Sequence, residues 1–447
     1  MVATVQLSHP ARAVQDITTY QPREADIFGS LQKTTGIVGS YTHKVHPSVP
    51  LSERNISFHF APDFLHYILA SKVRMYVRFK VMNGDAPIDN DDNVSFLNLL
   101  PAALFKSVQL EVGDLAAGGA DPLTLAYKTI LEYASTFDYG ARYTHLTNAL
   151  YYEDEAGRAE DMNLTQDLAA KKYTNQGYLN RRSLIQGGKA CEFIFPLNLD
   201  VLNVDNYFPP GLKITLTFTR NDDKWCLLSP EANPKYTIKL EEMYLAFEKL
   251  QLDPVITREH EQAMFRGAYA RYGYKRNVIK KKTLVATERS FFWQNLFSGT
   301  LPSQVFMVMV DTAADQGAYN KNPFRFQHFG IKRASLTLDG REVQTFDTDF
   351  DNHKYLEVLQ AFYENIGIQD QNGGCGISRS HFLTDKYVTS WNLIPDKRDA
   401  YLERYGAMDL HLQFKEALTQ GITVIVWGIF DEILRITPDK RMEKASG

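Results

Sequence analysis

One β-hairpin pattern occurs twice in this chain. Residues 104–116, LFKSVQLEVGDLA, and residues 331–343, IKRASLTLDGREV, alternate apolar and polar side chains up to a pair made of Gly and Asp, then continue. Alternation with period two marks a strand with one face on a core and the other in water. A Gly-containing pair between two such strands predicts a tight hairpin, because the favoured two-residue turns need positive φ. With Asp339-Gly340 as the loop, Leu338 faces Arg341, and Leu336 is expected to face Val343 on the core side. In the first copy Gly113-Asp114 takes the same part, with Val112 facing Leu115.

The neighbours of the two hairpins repeat in the same order. NISFHFAP (55–62) precedes the first and RSFFWQNLF (289–297) the second, followed by KVRMYVRFKV (72–81) and SQVFMVMVD (303–311). In 72–81 Val73, Met75, Val77, Phe79 and Val81 share one face, and Lys72, Arg74, Tyr76, Arg78 and Lys80 the other. After each hairpin comes a predicted short helix, at 122–137 behind Asp121-Pro122 and at 353–367. PLNLD then leads to LKITLTF (212–218), as SWNLIPD leads to MDLHLQF (408–414), and the apolar segments 236–250 and 421–436 close the halves. The first of these could be a helix on propensity, but Tyr236, Ile238 and Leu240 alternate, and its β-branched companion favours a strand for both. Five elements in one order argue for two copies of one domain.

The expected fold class is therefore all-β: two tandem antiparallel jelly-roll sandwiches, a double jelly roll, with short helices in the connecting loops. At 447 residues the chain exceeds what one core usually serves. The turn-rich residues 1–50 read as an N-terminal arm, 51–252 as the first jelly roll, 253–274 as a linker, 275–440 as the second jelly roll and 441–447 as a C-terminal tail. Within the first roll, 138–190 is polar and without sustained periodicity, and reads as a long loop excursion from the core.

Composition narrows the function. Forty-nine Lys and Arg against fifty-three Asp and Glu give a net charge of -4, so no global field draws the chain to nucleic acid. The dense basic run YKRNVIKKK (274–282) reads as the solvated face of a strand or linker. No stretch approaches the length of a membrane span, and the three cysteines are too few and scattered for a disulfide framework or zinc cluster. The sequons at Asn55, Asn93 and Asn163 are then chance matches.

Catalytic and metal signatures are weak. Metal-binding bicupins also pair two such barrels, but they need a His-x-His, and His43, His46, His59, His66, His328 and His411 all stand apart from one. Gly187-Gly188-Lys189 lacks the rest of a phosphate loop, and Cys375 in NGGCGIS would need a base from elsewhere, with His381 six positions on; a flexible loop tip is the simpler reading. IDNDDN (88–93) and FDTDFDN (346–352) lack calcium-loop spacing. The expectation is a protein that is not an enzyme, with no catalytic, cofactor-binding or metal-site residues.

NPFRFQHFGIKRASLTLDGREV (322–343) with YLEVLQAFYENIG (355–367), and RNISFHFAP (54–62) with NLLPAALFKSVQLEVGD (98–114), resemble double jelly-roll major capsid proteins. That lineage joins adenovirus hexons, virophages and Polinton-like (Maverick) elements, and the likeness is nearest to the Polinton and adintovirus-like group. The resemblance implies a homotrimer whose six rolls imitate a hexagon and which tiles an icosahedral capsid around double-stranded DNA. Its partners would be neighbouring capsomers, penton and minor capsid proteins, with weak or indirect contact to packaged DNA. The protein would be synthesised in soluble, intracellular form, end in the virion, and raise 138–190 as an exterior tower. The alternative is a non-viral two-domain β-sandwich that binds glycans or other proteins.

Overall fold

The computed structural model describes residues 36–113, 115–120, 124–369, 373–394 and 404–444. Eight strands build the first sandwich: β1 Ile37–Val45, β2 Asn55–Phe60, β3 Tyr67–Asn83, β4 Phe105–Val112, β5 Leu115–Ala120, β6 Cys191–Pro196, β7 Ile214–Arg220 and β8 Tyr236–Leu252. Eight more build the second: β9 Ala270–Leu284, β10 Ser290–Thr300, β11 Gln304–Asp311, β12 Ile331–Leu338, β13 Arg341–Asp347, β14 Thr389–Asn392, β15 Tyr405–Phe414 and β16 Ile422–Ile436. The four longer helices are α1 Thr124–Thr136, α2 Gln176–Ile185, α3 Pro254–Phe265 and α4 Leu356–Asn365.

Strand order shows the duplication directly. The first sandwich stacks a sheet ordered β1-β8-β3-β6 on one ordered β2-β7-β4-β5, and the second stacks β9-β16-β11-β14 on β10-β15-β12-β13. All the pairings are antiparallel, and adding eight to each label of the first half gives the second. The chain is an all-β double jelly roll. Alternation places the core: Val73, Met75, Val77, Phe79 and Val81 are buried, while Lys72, Arg74 and Arg78 of the same strand are exposed. One continuous apolar cluster runs through both sandwiches.

Several expectations need correction. Within the expected arm 1–50, residues 37–45 are β1, paired with β8; residues 1–35 lie outside the described residues. As an edge strand exposed along most of its length, β1 has no apolar alternation to reveal it. Its counterpart β9 begins at Ala270, inside the span read as linker 253–274. That span also holds α3, started by Pro254 and by the Asp253 carboxylate accepting from the Val255 N–H at 2.8 Å. In the expected tail 441–447, Met442–Lys444 pairs with the end of β16.

The second hairpin turns on Asp339 (φ 49°) and Gly340 (φ 77°), and Leu338 does face Arg341. A bulge next to Leu336 shifts the register, so Leu336 opposes Gln344 rather than Val343. Leu336 stays in the core and Val343 is 42% exposed, because the extra residue turns it outward.

Candidate interaction surfaces

The two rolls meet where α1 of the first packs on the outer face of the second roll's β9-β16-β11-β14 sheet. The Tyr127 hydroxyl donates to Asp315 Oδ1 at 2.9 Å, and Lys281 on β9 holds the same carboxylate at 2.9 Å. Asp200, from the loop after β6, accepts from the Asn277 backbone N–H of β9 at 2.6 Å and from Lys128 of α1 at 2.5 Å. The Trp225 indole N–H donates to the Asp315 carbonyl at 3.1 Å. Burial of the Tyr127 ring, reinforced by the Asp315 charge, pushes its phenol well above the ordinary value.

A second contact is made by 138–190, which leaves the core only in part: 164–173 are exposed, but much of the rest packs inward. Tyr151, Tyr178, Arg181 and Ile185 are all buried. The Arg181 guanidinium, fully buried, is neutralised by Asp154 at 2.7 Å and donates to the Phe96 carbonyl at 2.8 Å. Next to it, Glu153 lies between Arg142 (2.5 Å) and Lys386 of the second half. Arg325 spans Glu160 at 2.6 Å and Asp385 at 3.0 Å, and the Gly157 N–H donates to Asp385. Four cations, Arg142, Arg181, Arg325 and Lys386, thus meet four carboxylates, Glu153, Asp154, Glu160 and Asp385. Buried charges persist only when paired in this way. Burial works to raise the Glu153 carboxyl, but the Lys386 and Arg142 charges outweigh it and hold it below the ordinary value. The sequence hid this cluster because its partners lie far apart along the chain and follow no period.

The other candidates fall into structural places. Cys375 is half-buried, burial pushes its thiol up, and His381 Nδ1 meets Ser378 Oγ at 2.8 Å. The expected loop tip is tucked in: the Gly376 N–H donates to the Ala134 carbonyl of α1 at 2.6 Å. Gly187 and Gly188, both with φ 71°, form the turn between α2 and β6. From the basic run, Arg276 and Lys281 hold Glu432 and Asp315, and Lys280 donates to the Leu296 carbonyl at 2.7 Å. Asp92 accepts from the Tyr236 hydroxyl at 3.0 Å, and Asp349 and Asp351 both hold Lys415. His328 stacks on Phe350 with ring centroids 3.8 Å apart, while His66 pairs with Asp63 at 2.9 Å. His43 and His411 lie edge-on to Phe60 and Phe292, His46 is tilted against Tyr244, and His59 meets the Thr215 hydroxyl at 3.3 Å. Among the described residues no three His, Cys, Asp or Glu side chains converge to hold a metal ion, and no helix is long and apolar enough to cross a membrane.

No family model matches the chain. The uncharacterized protein F54H12.2 of Caenorhabditis elegans is 22% identical over 370 residues, which is 80% of this chain and 83% of that protein. Among solved structures, a chain of the Sputnik virophage superposes with a TM-score of 0.60 at 12% identity, covering 98% of this chain and 94% of its own. The mavirus major capsid protein gives 0.52 at 8% identity over 99% and 96%. The Faustovirus major capsid protein gives 0.51 at 10% identity over 91% and 92%. At such low identity the likeness is one of fold, and it holds from end to end: the chain has the double jelly-roll architecture of these viral capsid structures.

Proposed function

We propose that this chain is a major capsid protein whose trimers, pseudo-hexameric through six rolls, tile an icosahedral shell around a double-stranded DNA genome. The observation that supports it most is the internal duplication: two rolls of one strand order, fixed to each other by a buried seam. Fusing six barrels in pairs leaves three identical contacts for a threefold ring to close. On this reading the rolls occupy 36–252 and 270–444 with α3 between them. Neighbouring capsomers, penton and minor capsid proteins are the partners, DNA contact is weak or indirect, the role is structural rather than catalytic, and the virion is the site of action. The nematode relative, together with a fold shared with virophages, favours the Polinton and adintovirus-like grouping.

Light scattering on a sizing column tests the trimer: about 150 kDa, three times 51.0 kDa, or larger is expected. A monomer across ordinary salt and micromolar concentration would defeat the reading. One feature favours the glycan-binding alternative, the exposed pair Tyr139 and Tyr143 with ring centroids 4.5 Å apart. Binding to a glycan array that is lost in Tyr139→Ala, in a protein that remains monomeric, would establish it instead.

A further inference from the structure

Corresponding sheets of the two rolls carry the same motif on their outer faces but differ in what covers it. On β11 and β16, Phe306 and Trp427 face each other and stack with centroids 4.9 Å apart. On β3 and β8, their counterparts, Tyr76 and Tyr244 face each other and stack at 4.6 Å. Each pair continues onto the fourth strand, to Ser390 on β14 and to Ile194 on β6. In the second roll the pair is buried under Phe362 of α4 and beside Glu132 and Ser135 of α1, which comes from the first roll. In the first roll the pair is only half-buried, and Ile194 next to it is 48% exposed.

The seam therefore joins unlike surfaces: the outer sheet face of one roll and the helix-bearing flank of the other. The first roll has a sheet face of the same construction that is covered less among the described residues: Lys44 and His46 lie against Tyr244, and the pair stays half-buried. The second roll has a flank of the same construction around α4, whose outward side shows Leu356, Glu357 and Gln360. Charge fits the match at one end, since Lys72 and Arg74 project from the open sheet face and Glu357 from the helix, while Arg78 on that face is held by Glu241 at 3.4 Å.

Resting on the trimer proposed above, we propose that the outer face of β1-β8-β3-β6, centred on Tyr76 and Tyr244, receives the α4 flank of the second roll of another copy of this chain. The contact inside the chain is then the template for the contact between chains. Six alternating contacts of one kind, three within chains and three between them, close the ring.

The test compares sedimentation of the full chain with that of Arg74→Glu, Ile194→Glu and Glu357→Lys. All three side chains face outward, so circular dichroism and melting should match the parent. Each variant is expected to raise the concentration at which the trimer dissociates by about tenfold or more. Phe292→Glu, on the exposed face of β10, serves as the control and should leave assembly unchanged. If the parent is trimeric and the three folded variants assemble as well as it does, the assigned face is wrong while the trimer stands. If the parent itself is monomeric, both readings fall.

Discussion

The backbone N–H of Gly376 reaches the carbonyl of Ala134 at 2.6 Å, tying a loop of the second roll to the last turn of α1 in the first. A Cβ at Gly376 would run into the Arg142 guanidinium. Gly376→Ala should therefore displace a buried cation from Glu153 and destabilise the protein by about 3 kcal/mol. Calorimetry of the variant beside the parent measures this, and an unchanged melting temperature would show that the seam yields without cost.

Glu153 provides the matching electrostatic test. Glu153→Gln leaves Arg142 and Lys386 buried without their anion, with an expected loss of about 3 kcal/mol. Because the folded state holds this carboxyl below its ordinary value, its contribution is present above the unfolded carboxylate range near pH 4.5. It is lost as pH falls through the lower folded value. Glu432, held by Lys444 at 2.5 Å and Arg276 at 2.7 Å, is shifted in the same direction. Denaturant titrations should show parent stability falling steeply below about pH 4.5 and a shallower fall in Glu153→Gln.

At the hairpin turns, backbone conformation alone is at stake. Gly340 has φ 77° and open space where a Cβ would sit, so Gly340→Val should cost about 1 to 3 kcal/mol from strain alone. Gly340→Asn should cost much less, since Asn tolerates positive φ. Gly113, at φ 70°, should behave like Gly340. Thermal melts of the three variants distinguish strain from packing: an equal loss for Val and Asn at 340 would rule strain out.

The strand β1 makes the N-terminal boundary testable. A chain beginning at Leu51 lacks β1, which leaves the β8 edge uncovered and removes the Thr42 hydroxyl from Glu248, where it sits at 2.8 Å. Exposed sheet edges promote aggregation. That chain should be less soluble and melt lower than one beginning at Gly36. Equal solubility and melting would show that β1 is a passive addition to the sheet.

The legible part of this fold was the part with a period. In β3, five core residues alternate with four charged ones and Tyr76, and β16 is a long β-branched run, so the repeated order of strands could be read directly. β1 escaped because an exposed edge strand needs no apolar alternation, while the start of β9 does alternate, with Tyr272 and Tyr274 buried, but over too few residues to stand out. The bulge beside Leu336 escaped because one inserted residue leaves no mark in composition. The seam was the least legible feature. Arg181 and Lys386 look like surface residues in the sequence, and only the fold brings Asp154 and Glu153 to them. The open face around Tyr76 was readable as the polar side of a strand, but its meaning depends on the covered counterpart at Phe306.

The Glu153–Lys386 pair also sets an order of events during synthesis. The two residues are 233 positions apart, so at ordinary elongation rates of about 5 to 20 residues per second roughly 10 to 50 s separate their emergence from the ribosome. Throughout that interval Glu160 lacks its Arg325 partner, Glu153 has Arg142 without Lys386, and a flank of α1 stays uncovered. Completion of the second roll is thus the step that shields the nascent first half, and a pause or frameshift after β8 would release a half-chain with that flank bare.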